Sequence, residues 1–197
     1  GNGGFTRYDG SGWNTSHDYA TILYVKREGP DSAGNYYHGP GWWVDGDEVR
    51  NLDGTVNTNP YFGSVSLNSM TPGEWYISIG FLRNINGTST ANWGAGLWNT
   101  VTGEKLRDYR DYRIGSTGIR RHRCFQYYCP VDTRELYQAG FMDFDMTTLG
   151  WNKDMVLDMF IPGDSVSAVQ LQQTAITRTH PDIRGCWSVE GSLQNKT

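Results

Sequence analysis

Two carboxylates lie close together in the segment Asp143-Phe144-Asp145, which Met142 and Met146 flank. Alternate residues of a β-strand share a face, so Asp143 and Asp145 are expected to point the same way. Paired carboxylates can act as acid and base in polysaccharide cleavage, or can hold a hard cation such as Ca²⁺. The pattern is also typical of a solvated strand face, and the sequence leaves these interpretations open.

Aromatic residues among glycine, asparagine and aspartate give the most useful functional signal. The predicted ligand-binding residues are Tyr36, Tyr37, Trp42, Trp43, Asp45, Asp47 and Trp93. Aromatic rings stack on the C–H faces of sugars, and short polar side chains bond to the hydroxyl groups. In the alternative interpretation, the same rings close the ends of a β-structure and are buried there.

The cation cluster Arg120-Arg121-His122-Arg123 has two interpretations. Forked arginine contacts suit an acidic sugar, a sulfate or a phosphate. A row of charges on a strand edge, which discourages edge-to-edge pairing, also explains the cluster.

Metal sites receive little support from the sequence. Asp45, Asp47 and Glu48 could bind Ca²⁺, but they lack the twelve-residue calcium-loop pattern and its terminal Glu. The histidines and cysteines match no compact zinc motif. We therefore predict no resident cofactor, with Ca²⁺ as the alternative. Cys124 and Cys129 should point to opposite faces of one strand, so we expect no disulfide between them.

Composition favours a β-rich globular fold. Aromatic residues make up 14% of the 197 residues and charged residues only 19%, whereas disordered chains lack aromatics. Aromatic and β-branched residues are the types that strands prefer. The net charge of −4 argues against general nucleic-acid binding. No apolar run approaches the roughly 20 residues that span a bilayer.

Alternation of apolar and polar residues predicts strands at Trp75–Phe81 and Ala20–Lys26. Glycine, proline and asparagine turns delimit the further candidates, which run from Gly94 to Trp98, Arg107 to Ile114, Arg121 to Cys129, Leu136 to Asp145 and Ser165 to Thr174. Asn152 to Phe160 fits a short helix or a short strand. Asn35 to Gly63 is predicted to be a long, structured loop region.

These features predict one all-β domain over residues 1–197, an antiparallel β-sandwich or jelly roll with at most one short helix. The chain starts without Met in a glycine-rich stretch, which also fits the C-terminal part of a longer fibre or secreted protein.

Three segments together resemble a known family. They are Gly73–Phe81 (GEWYISIGF), Gly96–Lys105 (GLWNTVTGEK) and His122–Tyr128 (HRCFQYY). Their order is similar to that in β-sandwich receptor-binding domains of bacteriophage tail fibres and related adhesive appendages, over roughly residues 71–145. The resemblance implies a trimeric module that docks on a surface glycan or protein, with His122 and Arg123 in structural positions. It offers no counterpart for the loop from Asn35 to Gly63.

The predicted function is therefore non-catalytic binding of a surface glycan or receptor, outside the cell or on a virion. We expect a homotrimer, no nucleic-acid partner and no membrane insertion. The first alternative is a polysaccharide-degrading jelly-roll enzyme, a glycoside hydrolase or lyase, with Asp143 and Asp145 as its acids. Tyr137–Phe141 is similar to a strand of alginate lyases, but Gln138 replaces the lysine of that strand. The second alternative is a structural subunit of a capsid, tail or filament.

Overall fold

The computed structural model describes residues 3–9, 12–29, 33–41, 46–128 and 135–162. Trp42, Trp43, Asp45, Cys129 and the predicted strand from Ser165 to Thr174 lie outside these ranges. Within them, no helix combines the length and the apolar character that crossing a bilayer requires.

Strands dominate the described residues, and helices are few and short. In chain order the elements are β1 Gly3–Asp9, β2 Tyr19–Glu28, β3 Asn35–Pro40, β4 Val49–Arg50, β5 Gly63–Ser66, a 3₁₀ turn Leu67–Ser69, β6 Trp75–Arg83, β7 Gly96–Asn99, β8 Lys105–Asp108, β9 Tyr112–Ile114, β10 Arg120–Tyr127, β11 Glu135–Asp145, α1 Met146–Leu149 and α2 Lys153–Phe160. The prediction of an all-β fold is confirmed for the described residues.

The strands form two sheets. The small sheet has the antiparallel order β1-β10-β3-β5. The large sheet has the order β11-β2-β6-β7-β8, and β9 runs parallel to β6 and pairs with β4 on its other side. Side chains of both sheets meet in one core, where His38 of β3 lies 2.8 Å from the Ser78 hydroxyl of β6. We call the face that meets the other sheet the inner face.

Strand β6 shows how the sequence builds this core. Every residue from Tyr76 to Arg83 is buried, because the inner face meets the small sheet and the outer face packs under other parts of the chain. The predicted strands Trp75–Phe81 and Ala20–Lys26 are confirmed as β6 and β2, which pair with each other.

Gly80 of β6 is required for close packing between the sheets. A Cβ atom at this position would lie 2.3 Å from ring carbons of Phe62, which is far inside van der Waals contact. We expect Gly80→Ala to lower the free energy of unfolding by about 1–3 kcal/mol through overpacking. Gly87→Ala is the matched control, since its Cβ would meet nothing closer than 3.5 Å. Urea unfolding of both variants tests this, and equal midpoints would contradict the packing argument.

One predicted strand is divided in two. The run from Arg107 to Ile114 was expected to be continuous, but β8 ends at Asp108 and β9 starts at Tyr112. Between them the Tyr109 ring packs over Gly63, where a Cβ would lie 2.1 Å from the ring. The Arg110 amide donates to the Phe62 carbonyl at 2.7 Å. Because of these contacts the chain leaves the sheet after β8 and rejoins it as β9, beside β6.

The region from Asn35 to Gly63 contains more regular structure than predicted. Residues Asn35–Pro40 form β3, an inner strand of the small sheet, rather than part of a loop. Glycine and proline near its end suggested a loop, but tertiary pairing with β10 and β5 determines its conformation.

The short helices cover part of the outer face of the large sheet. The helical interpretation of Asn152 to Phe160 is confirmed by α2, whose first turn is capped by the Asn152 side chain. Val156 and Phe160 are buried, and the Phe160 ring lies 5.6 Å from Phe144 of β11.

Candidate functional site

The outer face of the small sheet carries a cluster of aromatic side chains. Strand alternation buries His122 and Cys124 of β10 and turns Phe125 and Tyr127 outwards, where both are half-buried. Tyr37 of β3 is the register partner of Phe125. The members of this cluster, which we call the aromatic face, are Tyr37, Tyr61, Phe125, Tyr127 and Tyr128.

The rings of the aromatic face contact one another. Tyr37 has its ring centroid 4.9 Å from that of Tyr61 and 5.4 Å from that of Tyr127. Phe125 and Tyr127 are stacked at 5.3 Å with an interplanar angle of only 7°. Aromatic pairs at these distances stabilise the arrangement of the rings.

Tyr128 extends the aromatic face into solvent. It is 70% exposed, and its ring centroid lies 6.0 Å from that of Tyr127. Its φ of 63° lies in the left-handed region, which a bulky side chain rarely adopts. Such strained positions cluster at ligand sites, where the surrounding structure maintains them.

A buried cation supports Tyr61 from below. The Arg123 guanidinium carbon lies 3.6 Å from the Tyr61 ring centroid, and its Nη2 donates to the Pro60 carbonyl at 2.7 Å. Gly39 leaves room for this crossing, because a Cβ there would lie 2.5 Å from the Pro60 oxygen. Stacking on the Arg123 guanidinium group therefore fixes the position and orientation of the Tyr61 ring.

The phenol groups of Tyr61 and Tyr37 remain protonated at neutral pH. Burial raises the pKa of Tyr61, and the neighbouring Tyr127 hydroxyl at 3.5 Å adds to the effect. Burial also raises the pKa of Tyr37, with a smaller contribution from Tyr128. The face thus offers flat rings together with hydroxyl groups that can donate and accept hydrogen bonds.

The predicted ligand-binding residues that the structure describes do not form one site; they are Tyr36, Tyr37, Asp47 and Trp93. Tyr37 lies in the aromatic face, but its neighbour Tyr36 is fully buried, and burial raises its pKa well above the usual value. Trp93 is half-buried on the outer face of the large sheet, where it packs on Phe81 and 4.5 Å from the Arg83 guanidinium carbon.

The carboxylate of Asp47 is engaged in hydrogen bonds within the protein. It accepts hydrogen bonds from Arg50 Nε at 2.8 Å and from the Ser116 amide at 3.0 Å. These hydrogen bonds, those of Arg50 foremost, lower its pKa to about 2. In the described part of the chain, no group of three or more His, Cys, Asp or Glu residues could hold a metal ion.

Asp143 is buried in a network of ion pairs. His122 Nε2 and Arg120 Nη2 both lie 2.8 Å from its carboxylate, and the Thr21 hydroxyl donates to it at 3.0 Å. Burial raises its pKa, but interactions with His122 and Arg120 outweigh that effect and hold the pKa at about 2. Asp143 shares its strand face with Asp145, as predicted, but it lies inside the protein.

Asp145 caps helix α1. It accepts the Thr148 amide at 2.9 Å and pairs with His17 Nδ1 at 2.8 Å. Burial raises its pKa, but these hydrogen bonds outweigh it and the pKa lies below the usual value. Both predicted acids thus have protein partners that explain their positions.

A second set of buried polar side chains lies in the core near Asp143. His38 Nδ1 contacts the Ser78 hydroxyl, which in turn lies 3.4 Å from the Tyr109 hydroxyl. Cys124, the register partner of His38, is a buried free thiol. All these groups are shielded from solvent, so we assign them to stability rather than to reaction with a substrate.

Four residues of the aromatic face were missed in the sequence. Tyr61, Phe125, Tyr127 and Tyr128 lie outside the predicted ligand-binding set. The signal for Phe125 and Tyr127 was present, since a strand from Arg121 to Cys129 was predicted and alternation places both residues on one face.

Comparison with known proteins adds no assignment: no family model, no curated protein and no solved structure matches the chain. The resemblance to tail-fibre domains therefore stays a prediction.

Proposed function

We propose that this protein is a non-catalytic glycan-binding adhesion module and that the aromatic face is its binding surface. The observation that carries the proposal is the set of contacting, partly exposed rings on the outer face of the small sheet. In the proposal, the two sheets form a β-sandwich that works outside the cell or on a virion, as a trimer.

The chemistry of the surface favours a sugar over an apolar ligand. Four of the five aromatic residues are tyrosines, which combine a flat apolar ring with a hydroxyl group. Short polar side chains lie beside them: Asn35 affects the pKa of Tyr37 as a hydrogen-bond partner, and Ser64 is the register partner of Tyr37. Sugars require this mixture of stacking surfaces and hydrogen-bonding groups.

The positions of the carboxylates favour binding over cleavage. Glycoside hydrolysis needs two carboxyl groups that face the scissile bond. Asp143 and Asp145, the pair suggested for an enzyme, are engaged with His122 and Arg120 and with His17 and Thr148 respectively.

Tyr127→Ala tests the proposed surface, with cellulose, chitin, xylan and alginate as probes. We expect the parent to be retained on at least one polysaccharide without releasing new chain ends. Tyr127→Ala should bind that polysaccharide about tenfold more weakly, because one stacking contact and its packed neighbour are lost. Tyr127→Phe should retain the stacking part of the affinity. Depletion assays give the affinities, and product assays on the same supernatants report cleavage.

Tyr137→Ala is the matched control, since Tyr137 is a 44% exposed tyrosine on the large sheet. It should bind as tightly as the parent. Equal losses in Tyr127→Ala and Tyr137→Ala would move the binding surface away from the aromatic face. Retention of the parent on none of the polysaccharides would overturn the glycan proposal, and new reducing ends would overturn its non-catalytic character.

A further inference from the structure

Three arginines form a row across adjacent strands of the large sheet. Arg113 of β9 is the register partner of both Arg50 of β4 and Arg83 of β6. Neighbouring strands lie about 4.8 Å apart, and register partners share a face. Their neighbours Ile114, Val49 and Leu82 are buried in the core, so the arginines lie on the opposite, outer side.

Like charges directly opposite one another destabilise a sheet, so the row needs compensation. Arg50 has it, because Asp47 accepts its Nε at 2.8 Å. Arg83 is less well compensated: the nearest Asp111 oxygen is 4.0 Å from Nη1. Burial raises the pKa of Asp111 to about 6, so this counter-charge is present at pH 7 and is lost as the pH falls below 6.

The middle arginine, Arg113, has the least compensation. It forms no ion pair with the described residues, although it lowers the pKa of Asp53 slightly from a distance. Its Nη2 donates to the Ser89 carbonyl at 3.1 Å, and its Nε is buried without a hydrogen-bond partner. Arg113 is only 7% exposed, so this unused donor lies inside the protein.

Attaching a loop to the sheet does not by itself explain why three arginines lie side by side. The Ser89 and Ala91 carbonyls accept from Arg113 and Arg83, which ties the exposed loop 86–92 to the sheet. A neutral amide side chain would make either bond without the repulsion between three guanidinium groups or the desolvation of a buried charge. The excess positive charge and the unused Nε are explained if an anion completes the site.

We propose that Arg50, Arg113 and Arg83 form an oxyanion-binding site centred on Arg113. A carboxylate or sulfate group is the matching ligand, because its oxygens fit the forked donors of guanidinium groups. The group enters beside Arg50, whose side chain is 31% exposed, and bonds to Arg113 Nε next to the Ser89 carbonyl. This site lies on the large sheet and does not depend on the aromatic face.

Equilibrium dialysis with radiolabelled inorganic sulfate, in chloride buffers of constant ionic strength, tests the proposal. We expect saturable binding of one equivalent by the parent and at least tenfold weaker binding by Arg113→Gln, which cannot supply the charged fork. Arg113→Lys keeps the charge without the fork and should also bind more weakly. Arg107→Gln removes an exposed arginine from β8 and should leave binding unchanged.

Competition experiments distinguish the two possible sources of the oxyanion, which are a carboxylate carried by a sugar and a free oxyanion. Glucuronate and glucose are compared as competitors of the labelled sulfate. Glucuronate displacing sulfate at tenfold lower concentration than sulfate itself would identify a sugar-borne carboxylate, and equal potency would identify a free oxyanion. Glucose should not compete. The proposal is overturned if the parent shows no saturable sulfate binding, or if Arg113→Gln binds like Arg107→Gln. Neither result affects retention on neutral polysaccharides, so the two proposals fail separately.

Discussion

Lowering the pH from 7 to 3 should reduce the free energy of unfolding by about 4 kcal/mol through His38 alone. This is comparable to the whole stability of many domains of this size. The imidazole is fully buried, and its Nε2 has no hydrogen-bond partner.

The sign of this effect follows from the two pKa values. Burial, helped by repulsion from His122 and opposed by Asp143, lowers the pKa of His38 to about 3 in the folded protein. In the unfolded chain the group has the usual value of about 6.5. Between these values only the unfolded chain takes up the proton, so His38 favours unfolding increasingly as the pH falls from 6.5 to 3.

Asp111 acts in the opposite direction. Burial raises its pKa to about 6, so the folded protein takes up this proton first, and its protonation stabilises the fold as the pH falls from about 6 to 4. The parent therefore shows the sum of both effects. A comparison between two proteins that differ only at His38 isolates the histidine.

His38→Asn is the suitable variant, because its amide keeps a polar group near Ser78 and does not titrate. Chemical denaturation at a series of pH values should show the stability of the parent falling by about 4 kcal/mol relative to this variant between pH 7 and 3. His17→Asn removes a partly exposed imidazole and should keep the His38 effect. A difference between parent and His38→Asn that does not vary with pH would refute the explanation.

Asp143→Asn is expected to reduce the free energy of unfolding by about 3–5 kcal/mol at pH 7. The substitution preserves shape but removes the charge that compensates Arg120, whose side chain is 18% exposed. Breaking a buried ion pair by neutralising one partner leaves the other charge desolvated. Because the carboxylate has a pKa of about 2, the parent retains its advantage over the variant down to about pH 4 and loses it below.

Asp145→Asn is the control on the same strand face. Asparagine still caps α1, and the lost pair with His17 is partly exposed, so the cost should be below about 1 kcal/mol. Urea unfolding at pH 7 compares the two variants with the parent. If Asp143→Asn is as stable as Asp145→Asn, the buried network does not contribute as the structure indicates.

The alternation of apolar and polar residues predicted the strands in which that alternation is clear. It failed where contacts with residues distant in sequence determine the conformation. Trp75–Phe81 was recognised as β6 because apolar residues recur at every second position. β3 was missed because its pairing partners are residues 120–127 and 63–66, which no local pattern reveals. The break between β8 and β9 likewise depends on Tyr109 packing over Gly63.

The predicted ligand-binding residues and the proposed binding surface share a residue type, aromatic side chains, but only one position. Aromatic residues were identified as the functional signal, and Tyr37 was named, but Tyr36 was assigned to the same role. Alternation in a strand separates these neighbours: one faces the core and the other the surface. The row of arginines was not found, because Arg50, Arg83 and Arg113 become neighbours only through the pairing of β4, β9 and β6.

The position of β10 between β1 and β3 has a consequence for synthesis on the ribosome. Residues 3–9 pair with residues 120–126, so β1 has no partner in the small sheet until most of the described chain has been made. One edge of β3 remains open for the same period. Unpaired edges on a nascent chain can pair with other chains. A ribosome that stalls before residue 120 therefore releases fragments that tend to aggregate, and expression should depend on uninterrupted translation through β10.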